Sequence, residues 1–132
     1  MSAEPKGATN GILTVFAAAD RTATTTSSTI LNDNARGMYV IWDLNTAAQG
    51  EDVTMHIEMR NPADGSWNII YSSAAIGATA DAVYLFYPAD IADPAALFVD
   101  EDKIPIPRYF RFRMAHSGTG THNYSLAVCF LT

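Results

Sequence analysis

From Asp52 to Arg60 the sequence DVTMHIEMR alternates without a break. Val53, Met55, Ile57 and Met59 fall on one side, and Asp52, Thr54, His56, Glu58 and Arg60 on the other. Successive side chains of extended backbone point to opposite faces, so a period of two marks a half-buried strand. Asn61-Pro-Ala-Asp-Gly65 then supplies turn chemistry, with Pro62 fixing φ and Gly65 able to take a positive φ at no steric cost. Trp67-Asn-Ile-Ile-Tyr71 begins the return, and 52–72 reads as an antiparallel hairpin.

The alternation also decides how His56-x-Glu58 is read. A histidine and a carboxylate two apart can be a metal site or an acid/base pair, and zinc deaminases carry His-x-Glu. Their signature, however, needs a following Pro-Cys-x-x-Cys, and this chain has one cysteine, Cys129. A three-ligand zinc site would have to recruit His116 or His122 from another hairpin. His56 and Glu58 are therefore expected on a solvated, charged face, where exchanging both for alanine leaves the fold intact. The chain has no Gly-x-Ser-x-Gly elbow and no Cys/His cluster. No enzyme, cofactor or metal is expected.

The remaining segments repeat the pattern. Ile12 to Ala18 is apolar and β-branched, a first strand. The threonine-rich run Arg21–Thr29 favours extended structure at an edge, a disordered linker being the alternative. After an Asn32–Gly37 turn, Met38–Leu44 is apolar on both faces, with Met38, Val40, Trp42 and Leu44 opposite Tyr39 and Ile41. Asp81–Tyr87 is again apolar on both faces. Pro88–Pro107 is a long connection in which Pro105 and Pro107 forbid a central strand, and Asp93 and Pro94 could open a helical turn over 93–98. Arg108–His116 turns Phe110, Phe112 and Met114 to one side and Arg111 and Arg113 to the other. The glycine-rich loop Ser117–Thr121 follows; without a Lys-Ser/Thr it is a hairpin loop and not a phosphate loop. Asn123–Leu131 is the last strand.

About eight short strands with frequent turn signals predict an all-β fold, an antiparallel β-sandwich of jelly-roll type. Met55, Ile57, Phe110, Phe112, Leu126 and Val128 are its expected core. A chain of 132 residues is one domain's worth, taken as 12–132 behind a flexible N-terminal arm, 1–11, that orders on a partner. A net charge of −6 argues against nucleic acid as a partner. No apolar run reaches the 18 or so residues of a membrane span, so no membrane partner is expected. No secretory signal is visible and synthesis in a cytoplasm is expected. Cys129 sits in an apolar run and reads as a buried, inert thiol.

Several features together have a familiar layout: Arg21-Thr-Ala-Thr, an Asn-Ala-Arg36-Gly37 turn into an apolar strand, Asn45-Thr-Ala-Ala, the Val53–Met59 strand with its Asn-Pro-x-x-Gly-x-Trp67 turn, Pro107-Arg108-x-Phe-Arg111-Phe-Arg, the glycine-rich hairpin, and Tyr124-Ser-Leu-Ala-Val. Over about 20–131 this resembles small virion proteins encoded among the head genes of tailed double-stranded DNA phages, several of which are head decoration, or cement, proteins. The resemblance implies a β-sandwich that binds the outside of an assembled head as an oligomer, with the major capsid protein and its own copies (a homotrimer or homodimer) as partners, and the virion surface as its place. Doubly apolar strands and a local arginine cluster suggest where contacts fall: Tyr39, Ile41, Tyr84, Phe86, Leu97, Phe98, Arg108, Arg111 and Arg113. Alternatives are a neck or tail accessory protein, or a carbohydrate-binding module in which Trp67, Tyr71 and Tyr39 stack on sugars.

Overall fold

The computed structural model describes residues 11–89 and 98–131, which form ten strands. They are β1 (Ile12–Arg21), β2 (Thr25–Thr26), β3 (Ile30–Leu31), β4 (Gly37–Thr46), β5 (Val53–Arg60), β6 (Trp67–Ser72), β7 (Ala80–Phe86), β8 (Asp100–Asp102), β9 (Tyr109–His116) and β10 (His122–Leu131). Sheet A has the order β1-β10-β4-β7-β8. In sheet B the order is β2-β9-β5-β6, with β3 also on β9. β2 and β3 are two pieces of one interrupted edge strand, since both pair with β9, at Met114/Arg113 and at Phe110/Tyr109. With β8 set apart as an added edge, β1-β10-β4-β7 faces β2/β3-β9-β5-β6, and the chain crosses repeatedly between the sheets. That is the jelly-roll order. The fold class expected from alternation and turn spacing holds.

The pattern of two places the core where it was read. Val40, Trp42, Met55, Ile57, Phe110, Phe112, Leu126 and Val128 are all fully buried and belong to one cluster between the sheets. Aromatic edges fill it: Tyr71 meets Phe86 at 4.7 Å, and Phe110 meets Phe112 at 5.9 Å, both edge-on, the geometry that ring quadrupoles favour. In the β5–β6 turn Gly65 has φ 76°, as its place after Asn61-Pro-Ala-Asp predicted.

Three expectations are corrected. Tyr84 and Phe86 are not on an outer face: each is 1% exposed and lies in the core. A strand apolar on both sides gives no sign of which set faces in. The register decides it, pairing Tyr84 with Val40 and Phe86 with Met38 and so turning Val83 and Leu85 outward. Cys129 pairs with Ile12 and Tyr39 on the outer face of sheet A, where it is only half-buried. Gly11, assigned to the arm, already joins the sheet by accepting the Phe130 N–H at 2.8 Å; residues 1–10 lie outside the described residues.

β8 was not anticipated. Asp-Glu-Asp has little β propensity, and the strand forms as a short parallel edge on β7, Tyr84 opposite Asp100. Its charges suit an edge, where they discourage further pairing. Asp100 also accepts a hydrogen bond from the buried Tyr71 hydroxyl at 2.7 Å. The proposed helical turn over 93–98 lies outside the described residues except for Phe98, which is not helical. No strand crosses Pro105 or Pro107.

Candidate functional site

The outer face of sheet A is built in cross-strand rows. Ile12, Cys129, Tyr39 and Leu85 form one row; Thr14, Ala127, Ile41 and Val83 form the next; Ser125, Asp43 and Asp81 form a third. Two rows are therefore mainly apolar and the third ends in two carboxylates. Part of the face is covered by the chain itself: the Phe98 ring stacks on Tyr39 at 5.6 Å, and the Val99 N–H donates to the Val83 carbonyl at 2.7 Å. Leu85, beside Tyr39 in the same row, is 3% exposed. Ile41, Val83 and Ala127 remain half-exposed, and Ile12 at the edge is 76% exposed. Tyr39, Ile41 and Phe98 thus lie together on this face, while Leu97 lies outside the described residues. Asp43 titrates above the ordinary carboxylate range, through partial burial first and then the charge and hydrogen bond of Asp81.

The outer face of sheet B carries the polar side of β5 and β9. Here His56-x-Glu58 departs from its reading as a solvated surface. Glu58 is 5% exposed. It accepts hydrogen bonds from Arg111 Nε at 2.7 Å and Arg113 Nε at 3.1 Å, one on each carboxylate oxygen. The Arg111 guanidinium lies 4.2 Å from the Trp67 ring centroid. The alternation was right about the face but silent on its cover: two long arginine stems from β9, with Trp67 beyond them, roof the carboxylate. Burial alone would raise the Glu58 pKa, but the arginines' hydrogen bonds and charges outweigh it and hold it below the ordinary value. His56, directly opposite Arg113 in the register, shares a 2.7 Å hydrogen bond with Ser72. Arg108 stands apart, exposed, 3.9 Å from Asp33.

Two groups escaped the sequence reading. Arg21 donates to the carbonyls of Ala17 and Tyr124, each at 2.7 Å, and lies 4.6 Å from the Tyr124 ring centroid. It anchors the end of β1 beyond two register shifts. At the same end of the sandwich His116 and His122 cross edge-to-face at 5.1 Å. His116 Nε2 is 2.9 Å from the Tyr124 hydroxyl, and His122 Nδ1 accepts the Ala48 N–H at 3.3 Å. No pattern of two or 3.6 predicts a partner across a hairpin and a loop.

Among the described residues no three His, Cys, Asp or Glu side chains are grouped to hold a metal. An open groove of about 440 Å³ at the β1–β3 corner is lined by Leu13, Ile30, Leu31 and Phe130 among others, and a second of about 290 Å³ by Met59, Ile70, Ile104 and Ile106. No titratable side chain lines either groove, whereas small-molecule sites combine apolar walls with a few placed polar groups.

No protein-family model and no curated protein matches the chain. Among solved structures, a chain from the structure of infectious bursal disease virus, Gx strain, is similar at a TM-score of 0.49 and 15% identity. The match covers 98% of this chain and 36% of that one, so this chain spans little more than a third of its length. The jelly-roll assignment rests on strand order alone.

Proposed function

We propose that the protein is a structural component of a virion, a decoration or cement protein that binds the outer surface of an assembled phage head and stabilises it. The observation that carries this is the outer face of sheet A, where Ile12, Ile41, Val83 and Ala127 keep apolar surface that the 98–99 segment leaves partly uncovered. A sandwich furnished on its outside is suited to covering other surfaces, and contiguous apolar patches on soluble proteins mark interaction sites. The pattern of turns and alternations over 20–131 resembles head decoration proteins, which supplies the kind of surface. A homo-oligomer on a symmetry position of the head would present identical contacts to identical subunits, and multivalency would then raise avidity without a strong single contact.

The test is reconstitution. Purified protein is added to phage heads that lack it, and bound protein is measured by sedimentation. Saturable binding with a raised temperature of genome release is expected; heads that sediment bare at every concentration contradict the proposal. Nothing favours the sugar-binding alternative. Tyr71 is buried in the core, Trp67 carries Arg111 on its ring, and Tyr39 carries Phe98 and lies on the opposite sheet.

A further inference from the structure

The two outer faces of the sandwich carry opposite charge. On sheet A, Asp20, Asp43, Asp81 and Glu101 share the outer side with Asn123, Ser125, Ile41 and Leu85 through the register of β1, β10, β4, β7 and β8. No lysine or arginine shares that side among the described residues of these strands. On sheet B, Arg60, Arg111 and Arg113 share the outer side, and Glu58 is the one acid among them.

Each face is also left with an unbalanced charge pair. Asp43 and Asp81 are direct cross-strand neighbours, and like charges directly opposite one another destabilise a sheet. Arg111 and Arg113 converge on a single carboxylate, which orients both guanidiniums and neutralises one. Their side chains remain 26% and 29% exposed, open to a further acceptor. Two carboxylates on one face and two pre-oriented arginines on the other are the partners that charge-assisted, bidentate pairing requires. Apolar surface accompanies both. Ile12 is exposed on sheet A, and Leu31, Ile69 and Tyr109 are exposed on sheet B at 48%, 50% and 41%. Leu31 and Tyr109 pair with each other, and Ile69 pairs with Glu58.

We infer that copies of this chain associate head to tail, with the outer face of sheet A of one copy seated on the outer face of sheet B of the next, Asp43 and Asp81 meeting Arg111 and Arg113. This rests on the oligomeric part of the proposed function and names its surface. A sheet A face set against itself brings acids onto acids, and a sheet B face set against itself brings arginines onto arginines. The contact between unlike faces removes both conflicts. Such a contact is heterologous, so it excludes a two-fold dimer; built as an open stack, it occupies the sheet A face of every copy but the terminal one, whose sheet A face stays free for the head. Its ionic component weakens as salt rises.

The test uses two full-length variants. One carries Asp43→Lys and Asp81→Lys; the other carries Glu58→Gln, Arg111→Gln and Arg113→Gln, which removes the buried charge together with its partners. Light scattering across micromolar concentrations at low salt should show wild-type protein as species larger than a dimer and each variant alone as a monomer. Mixed one to one, the variants should form a heterodimer and nothing larger, because one acidic and one basic face remain to pair. Monomeric wild type, a variant that assembles like wild type, or a mixture that stays monomeric overturns the inference. If the triple variant fails to fold by circular dichroism, Arg60→Glu, exposed on the same face, replaces it, with at least a severalfold weaker self-association expected and unchanged association contradicting. Head binding by a monomeric wild type overturns this contact and leaves head decoration standing; head-to-tail assembly by a protein that ignores heads does the reverse.

Discussion

Glu58 shows how far a single residue can be read from sequence. Its side of the strand follows from alternation, but its burial depends on Arg111 and Arg113, over fifty positions away in the chain and adjacent only through the β5–β9 register. The substitution expected to be harmless on a solvated face is therefore expected to be costly. Glu58→Ala removes the acceptor of two charge-assisted hydrogen bonds and should destabilise the fold by about 1.5–3 kcal/mol in urea unfolding; a loss under about 0.5 kcal/mol would return Glu58 to an ordinary surface position. The pH dependence has a definite sign. A carboxylate held below its usual value contributes stability that is complete above the unfolded-state pKa, near 4.5, and is lost as pH falls through the lower folded value. Glu58→Gln should therefore narrow the gap to wild type only in that acid range. His116 acts earlier. Burial first, then His122 and Arg21, lowers its pKa, so the unfolded chain takes up a proton that the folded chain resists. Stability should begin to fall as pH drops below about 6.5, and His116→Gln should flatten that first step. An identical slope in the variant would contradict this.

At the scale of elements, the strands with one apolar face and a clear turn were legible, and their core residues with them. Phe112 is fully buried, and Phe112→Ala should cost about 3–5 kcal/mol, read from thermal or urea unfolding; an unchanged melting temperature would mean that this face is not the core. Legibility failed where local pattern carries no orientation. The run Val83–Tyr87 is apolar throughout, and only pairing with β4 turned Tyr84 and Phe86 inward. β8 is held by Tyr71 and β7 and has no sequence signal of its own. The glycine-rich β9–β10 loop was rightly separated from phosphate loops, yet its use was hidden: the Gly120 N–H donates to Glu51 Oε1 at 2.9 Å, seating a carboxylate from the β4–β5 loop. A Cβ on Gly120 would lie 2.5 Å from Ala48 Cβ and 2.7 Å from Glu51 Oε2. Gly120→Ala should therefore cost about 1–3 kcal/mol, as overpacking does, and should lose that cost when combined with Glu51→Ala and Ala48→Gly.

For the whole molecule, the jelly-roll strand order closes the chain by pairing β1 with β10, Ile12 beside Cys129, so both terminal strands of the domain lie side by side in sheet A. The sandwich has an acidic, partly apolar outer face and a basic one, and neither of the grooves described above has titratable lining. The opposite charge of the two faces could not be read from composition, which reports only the net −6; it appears once register assigns each charged residue to a side. The most direct measurement is the protein content of purified virions by quantitative mass spectrometry. Head decoration predicts this chain in intact particles at a fixed ratio to the major capsid protein, at a copy number matching a class of symmetry positions. Its absence from particles, with the protein found only in the infected-cell lysate, would contradict the account.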